Sequence, residues 1–559
     1  MTITRSILLL VLGLTVLVSA GMAEARERLT IAMTQFPSTL NPMIDSMLVK
    51  SYVLAMVRRD LTIYGHDWKP MCELCTELAT FESGRAEKFE LIDKKGQKTG
   101  KLGVRTTFTI RPDATWGDGK PVTSQDVIFS WRVGKHPETG VSGFNTYDDI
   151  TEIEAIDQRS FVVTTRKLTF QYETMGGFDI LPAHLEEPAF ADPKEYRHRT
   201  LYDTDPTNPG LYNGPYRITE VVPGSHIVLA RNDHWKGKRP AFNQIVVRTI
   251  ENTSALEANL LSGSVDYIAG EAGLTLDQAL AFEKRHGAKY DIVYKPGLIY
   301  EHVDLMLDNS ALADVRVRKA LLHAIDREAI SERLFAGKQP VAHNFVHPLD
   351  WIHAADAPKY AFDPKRAKAL LDEAGWSILK GGIRHDAKGK RLSLEIMTTA
   401  GNRVRELVEQ VLQNYWKRVG VEVRVRNEPA RVLFGETIAK RKFKAMAMYA
   451  WLSSPESVPR TTLHSESIPS DKNGWSGQNN PGFRNPEMDQ LIDAVEIELD
   501  REKRLGLWRR IQEIYAEQLP VLPLYYRANV FVLPKWLKGV RPTGHQYTTT
   551  HWIEEWRVE

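Results

Sequence analysis

The sequence predicts an α/β protein of more than one domain. Three observations carry that expectation. The chain has 559 residues, more than one hydrophobic core usually serves. From about residue 240 onward, strand-like and helix-like segments alternate, the pattern of a mostly parallel sheet. Between about residues 60 and 185 the texture is different, with strand-like runs and frequent turns.

The first 25 residues stand apart. Arg5 precedes an uncharged apolar run from Ile7 to Val18, and Ala23-Glu24-Ala25 forms an A-x-A cleavage site. This is the pattern of a cleavable secretory leader, and the run is too short for a mature membrane span. No cysteine lies near the cleavage point, so no lipid anchor is expected there. The chain carries 73 basic and 71 acidic residues, net +2, with no long block of one sign. That composition argues against nucleic acid as the main partner.

Along the mature chain, RLTIAM at Arg28–Met33 is a short strand, followed by the turn-rich FPSTLNP. KLGVRTTFTIRPD alternates apolar and polar side chains, as does FVVTTRKL less cleanly. WGDGKP is a turn, and TSQDVIFSWRVG then opens a helix with Thr123 or Ser124 as its N-cap. NQIVVRTI, the helix Thr253–Ser262 and SVDYIAG form a β-α-β unit, with Leu256, Leu260 and Leu261 on one helix face and Gly263 as the stop. DVRVRKALLHAIDREAISERLF is expected to be one amphipathic helix burying Ala320, Leu321, Ala324 and Ile325. FDPKRAKALLDEAGW is bounded by Asp363 as N-cap, Pro364 at N1 and Gly375 as terminator. RLSLEIMT is a strand, and NRVRELVEQVLQNYWKRVG a helix with Leu407, Val408, Val411, Leu412 and Tyr415 on one side. VEVRVR, RVLFGETIAKRK and KAMAMYAW continue as strand, helix and strand, and GHQYTTTHWIEEWRVE ends the chain as strand or loop.

The chemistry-bearing residues divide into those with a pattern and those without. Cys72 and Cys75 are the only cysteines, in MCELCTEL. Outside the cytosol a local disulfide is the plain reading, with a redox pair or a metal site as alternatives. His343, His347 and His353 lie in a proline-flanked loop without a helical scaffold, so no metal is expected, and no cofactor either. The chain lacks G-x-S-x-G, H-E-x-x-H, a P-loop and G-x-G-x-x-G, which argues against a catalytic role.

The stretch YAWLSSPESVP follows the strand KAMAMYAW, at the carboxyl end where open α/β sheets bind ligands. Trp451, Ser453, Ser454 and Glu456 are therefore candidate ligand contacts. Arg403 has the same placement after RLSLEIMT, where a guanidinium at a helix start suits a carboxylate. Trp475, in the glycine- and asparagine-rich NGWSGQNNPG, is a further candidate. Core packing for Trp451, a cap or turn for the serines and a solvated helix start for Arg403 are the non-functional alternatives.

Several segments together resemble family 5 extracellular solute-binding proteins, the dipeptide, oligopeptide and nickel-chelate receptors of ABC importers. TFTIRPDATWGDGKPVTSQDVIFSW, NGPYRITEVVPGSHIVLARNDHWKGKRPAFNQIVVRTI, DVRVRKALLHAIDREAI and FRNPEMDQLID carry the resemblance, in order along nearly the whole mature chain. It implies a two-lobe periplasmic-binding-protein fold of the class II type with a third domain inserted in lobe one. Lobe one would comprise 26–58, 186–298 and 521–559, the insertion 59–185, and lobe two 299–520. It further implies a monomeric periplasmic receptor that encloses a peptide-like solute and passes it to a membrane permease. Peptide-binding relatives often carry W-x-x-D where this chain has Trp451-Leu452-Ser453-Ser454. A serine cannot supply the counter-charge that a buried ammonium requires. Glu456 is then the nearest acid to replace it, and opines, sugar-phosphate esters and metal chelates stay open beside peptides.

Overall fold

In a computed structural model, residues 26–559 are described except Ser46, Asp93, Lys94, Gly96, Gly143, Gly474 and Ser476. The expected leader lies outside the described residues. Among the described residues no helix is long and apolar enough to cross a membrane.

The centre is a ten-stranded sheet. From one edge its strands are Glu422–Val425, Ser393–Met397, Met446–Leu452, Tyr290–Leu305, Val521–Pro534, Tyr267–Ile268, Arg28–Met33, Gln244–Thr249, His226–Arg231 and Tyr216–Val222. The β-α-β unit is present, with Arg28–Met33 running parallel to, and between, the strands on either side of helix Thr253–Ser262. A second parallel trio forms from Ser393–Met397, Glu422–Val425 and Met446–Leu452. The expectation of a mostly parallel sheet is corrected, because the remaining pairings are antiparallel. For the central pair the cause is topological: a chain that leaves one lobe for the other and returns does so on two strands of opposite direction.

Those two crossing strands are Tyr290–Leu305 and Val521–Pro534. They pair from Tyr290↔Pro534 to Pro296↔Ala528, slip in register, and pair again from Tyr300↔Tyr526 to Asp304↔Val521. Gly297 sits at the slip, where an added Cβ would lie 2.4 Å from the Gly544 carbonyl oxygen. The Leu298 N–H donates to that same oxygen at 3.0 Å, so the C-terminal segment seals the break in the ladder. The lobe boundary expected at 298/299 thus falls inside a continuous strand. Residues 521–526 of the returning strand pair with the stretch 300–304 that continues into lobe two.

The strand-rich segment contains a four-stranded antiparallel sheet in the order Ala86–Ile92, Lys98–Thr109, Ser160–Thr165, Ile150–Ala155. Its helix Ser124–Lys135 starts at Thr123, with a capping box in which the Thr123 N–H donates to Asp126 at 2.8 Å. Phe108, Val127 and Phe161 share one core with Leu29, Tyr52 and Tyr267, so this segment is fused to lobe one through buried apolar surface. A second core joins Leu321, Leu412, Trp416 and Met446, and a third joins Met488, Ile492, Trp508 and Ile511.

Several local expectations are corrected. The segment 314–335 forms two helices, Val315–His323 and Arg327–Phe335. Asp326 accepts from the Ala329 N–H at 2.9 Å and starts the second. Arg327 turns inward to the carbonyls of Ala342, Pro523 and Tyr360, anchoring the break to the returning strand. Ala320, Leu321, Ala324 and Ile325 are buried as expected. Leu261 and Leu407 are exposed, and the stripe of helix Arg403–Arg418 is centred on Val408, Leu412 and Trp416. The run RVLFGETIAKRK is a short turn of helix at Ala430–Val432 followed by a π-helical Leu433–Ile438. SVDYIAG contributes only Tyr267–Ile268, because Arg28–Met33 and the returning strand offer it a brief ladder.

A buried ion pair pins lobe two to the crossing strand. Arg405 Nε donates to Glu301 Oε1 at 2.5 Å and its Nη1 to Thr399 Oγ1 at 3.2 Å, with both charged residues buried. Arg405→Ala leaves the Glu301 carboxylate alone in the interior and is expected to cost about 3–5 kcal/mol, read as a lowered midpoint in urea unfolding.

Candidate functional site

A cavity of about 690 Å³ opens between three parts of the chain. Helix Leu48–Val57 and the segment Gln546–His551 form the lobe-one wall, residues 146–179 form the wall of the strand-rich segment, and Ser454 reaches in from lobe two. The helix is apolar and buried along most of its length, yet it carries Lys50 on its inner side. Lys50 Nζ donates to the carbonyls of Asn41, Pro42 and Ile44 at 2.8, 3.0 and 2.6 Å. Burial pushes its ammonium down to about 8.

Where this helix ends, Arg58 and Asp60 line the floor, and Arg59 lies buried beneath it. Arg58 donates to Asp179 at 2.8 Å and lies 3.4 Å from Asp60. Burial pushes the Asp60 carboxyl up to about 6, with Arg58 pulling the other way. Cys72 and Cys75 are joined as a disulfide with their Cα atoms 5.1 Å apart. The loop they close presents Glu73 beneath the floor, where it accepts from the Asp60 N–H at 2.8 Å and His551 Nε2 at 2.7 Å. Arg59 Nε stands 3.1 Å from Glu73, and its other end reaches Glu554 at 2.7 Å. Burial opposes ionisation of Glu73, but His551, Arg59 and the Asp60 N–H outweigh it and hold the carboxyl below its usual range. The cysteine loop therefore braces two residues of the cavity, Asp60 and His551.

The six candidate residues do not form one cluster. Ser454 lines the large cavity. Ser453 turns away: its N–H donates to the Leu298 carbonyl at 3.2 Å, and its hydroxyl to the Ser454 carbonyl at 3.3 Å. Ser453 and Trp451 line a second cavity of about 110 Å³ inside lobe two. The Trp451 ring lies nearly parallel to His302 at 6.2 Å and edge-on to Tyr449 at 5.4 Å. Glu456 is buried in a left-handed conformation, φ 51°, with its N–H on Asp350 at 2.8 Å. Its carboxylate is held by Arg504 and by Trp351 Nε1, the latter at 3.1 Å. It is committed to holding its own loop, so the idea that it replaces the missing aspartate is corrected.

Arg403 is exposed and lines a separate groove of about 530 Å³ with Glu271, Glu301 and Arg527. Trp475, φ 62°, donates its N–H to Ser470 and lines none of these three cavities. His464 is buried and accepts from the Glu466 N–H through Nδ1, and neither Ser453 nor Ser454 hydrogen-bonds to it among the described residues. His343 and His347 are held down to about 4 by burial, and His347 packs on Tyr526 at 4.5 Å. Among the described residues, no group of three or more His, Cys, Asp or Glu could hold a metal ion.

Lys50, Arg58, Asp60, Asp179, Tyr547 and His551 escaped the sequence reading. The signals were present: a lysine within an apolar helix, the run RRD at its end, and a histidine in the aromatic C-terminal segment. Nothing local links them, since Arg58 and Asp179, or Glu73 and His551, are joined only by folding.

Two lobes joined by a pair of antiparallel strands, with a polar cavity between them, define the class of a solute-binding protein. The chain belongs to the bacterial extracellular solute-binding proteins, family 5, whose model for the middle region matches residues 100–468. It is 27% identical over 460 residues to the oligopeptide-binding protein AppA of Bacillus subtilis (strain 168), covering 81% of each chain. It is also similar to the oligopeptide-binding protein of Thermus thermophilus solved with a pentapeptide, with 29% identity, TM-score 0.70, and coverage of 95% of this chain and 96% of that one. NikZ of Campylobacter jejuni, solved with Ni(L-His), shares the fold at 23% identity and TM-score 0.71, covering 95% of this chain and 99% of that one.

The geometry of the floor and of the C-terminal segment sets two measurable expectations. Cys72→Ser opens a four-residue loop and is expected to destabilise by about 2 kcal/mol in chain-entropy terms, measured by chemical unfolding. His545, packed against Trp68, accepts the Tyr547 N–H at Nδ1 and contacts the Gly65 carbonyl through Nε2, a neutral imidazole held down to about 4 by burial. The unfolded chain binds this proton from about pH 6.5 downward while the folded one does not until about 4, so stability falls as pH drops through that window. His545→Gln should flatten the decline by about 1–3 kcal/mol between pH 6.5 and 4, read from urea midpoints.

Proposed function

We propose that this protein is the extracytoplasmic receptor of an ABC importer, capturing a peptide or peptide-like solute between its lobes and presenting it to a membrane permease. The observation that carries this reading is the 690 Å³ cavity whose walls come from lobe one, the strand-rich segment and, through Ser454, lobe two. A ligand in it touches both sides of the hinge strands and so favours the closed arrangement. Shifting such an equilibrium from 1:99 to 99:1 takes about 5.5 kcal/mol of differential binding. The similarity to oligopeptide-binding proteins, one of them solved with a pentapeptide, supports the peptide class.

We assign residues 1–25 to a leader removed on export, 26–58, 186–298 and 521–559 to lobe one, 59–185 to its insertion and 299–520 to lobe two, with the hinge strands shared. The receptor works as a monomer, by binding rather than catalysis. In support, neither strand-end serine is hydrogen-bonded to a histidine among the described residues. Ser454 is the residue that separates this cleft from relatives with an aspartate there. In this cleft the residue at that position is a neutral serine, which favours a ligand whose uncharged polar end meets Ser454.

Thermal melting of the mature protein with peptides, opines, sugar-phosphate esters and metal chelates tests this reading. A ligand at one hundred times its Kd stabilises by about 2.7 kcal/mol. A peptide is expected to raise Tm, and a Tm raised only by a non-peptide would overturn the peptide assignment.

A further inference from the structure

The second cavity, behind Trp451, has a buried acid, Asp304, in its wall, and among the described residues no lysine or arginine is paired with it. On the outgoing hinge strand Tyr300, His302 and Asp304 share one face, while Glu301 points to the other and pairs with Arg405. The register of the neighbouring strand sets Trp451 opposite Tyr300 and Tyr449 opposite His302. Four rings and one carboxylate therefore crowd onto the same face. Asp304 is 1% exposed. It accepts the Tyr449 hydroxyl, which in turn accepts from Asn480 Nδ2 at 2.9 Å. Its other oxygen lies 3.3 Å from His302 Nε2, yet among the described residues neither His302 ring nitrogen has a hydrogen-bond partner. No lysine or arginine among the described residues forms an ion pair with Asp304.

The cavity measures about 110 Å³, with Asp304 in its wall and Tyr300, Trp451, Phe345 and Tyr515 around it. It also meets Leu452, which is 66% exposed, and Ser453, the neighbour of the serine that lines the large cleft. It is thus adjacent to the proposed solute site, at the strand end where the two cavities diverge.

Resting on the receptor reading above, we infer that this cavity is a subsite for an organic cation, the ammonium or guanidinium of a bound solute, with Asp304 as counter-charge and the aromatic rings as walls. A carboxylate taken out of water is stabilised by an opposite charge, and aromatic faces attract the same charge. A volume near 110 Å³ admits one such group and its stem but not a length of peptide backbone. The aspartate absent at position 454 is matched by one on the next strand, reached through a different cavity. The competing arrangement has His302, 3.3 Å away, answering Asp304 from within, which would leave the cavity indifferent to charge.

A positional peptide set distinguishes these outcomes. Alanine pentapeptides carrying one lysine, arginine, norleucine or citrulline at each position are mixed in equal amounts with the mature protein, and retained peptides are identified by mass after gel filtration. At one position lysine or arginine should be retained about tenfold over norleucine or citrulline, as a desolvated charge pair implies. In Asp304→Asn that ratio should fall towards one. If Asp304→Asn does not fold, Trp451→Leu should reduce the ratio by removing a ring wall. Retention of peptides by the wild type without charge preference would overturn the subsite and leave the receptor reading in place. Retention of none would overturn the peptide assignment and the subsite with it.

Discussion

Everything in this fold depends on two strands that pass between the lobes side by side. Tyr290–Leu305 and Val521–Pro534 are one antiparallel pair, and both lobes add their own strands to its outer edges. Backbone groups in a ladder must stay paired, so the lobes cannot drift apart, yet the register slip near Gly297 interrupts the ladder where the two halves meet. Such a connection restrains separation while allowing rotation, which is the motion a closing receptor needs. The Glu301–Arg405 pair fixes lobe two to one end of this axis, and the Leu298–Gly544 hydrogen bond fixes the C-terminal segment to its middle.

The cavity inherits its walls from this arrangement. Lobe one and the strand-rich segment share a continuous apolar core, so together they form one jaw of the cleft. The polar groups of its floor are already paired, Arg58 with Asp179 and His551 with Glu73, and the cysteine loop holds the second of these pairs in place. Pre-paired polar groups limit what an incoming ligand must displace, and they set the polarity of the floor before any ligand arrives. Lobe two contributes little area to the large cavity: Ser454, just past the strand Met446–Leu452, lines it, while Trp451, Leu452 and Ser453 before it line the smaller one. The step from Ser453 to Ser454 therefore decides which cavity a substitution changes.

Much of the local structure was legible in the sequence. Asp363 with Pro364, and Gly263 at φ 78°, mark helix ends through short-range chemistry, and the structure places them as expected. The misjudged segments share a different property. Asp326 reads as one polar residue in a helical stripe, but Arg327 beside it is drawn to carbonyls of Ala342 and Pro523, and the helix divides. Leu407 and Leu261 fit an apolar stripe by spacing alone, yet both are exposed. Glu456 looked available because it follows the serines, whereas Arg504 and Trp351 hold it inward.

By itself the sequence determined the class of the chain, the alternation of strand and helix, the helix caps and the strand end that carries Trp451, Ser453 and Ser454. These follow from periodicity, capping chemistry and the spacing of family motifs, all of which act over a few residues or along the chain. Tertiary structure alone decided the mixed direction of the sheet, the pairing of Glu73 with His551, the separation of Arg403 from Ser454, and the placing of Asp304 beside Trp451. Each of these depends on which strand lies beside which, and long-range pairing has no period that a single sequence displays.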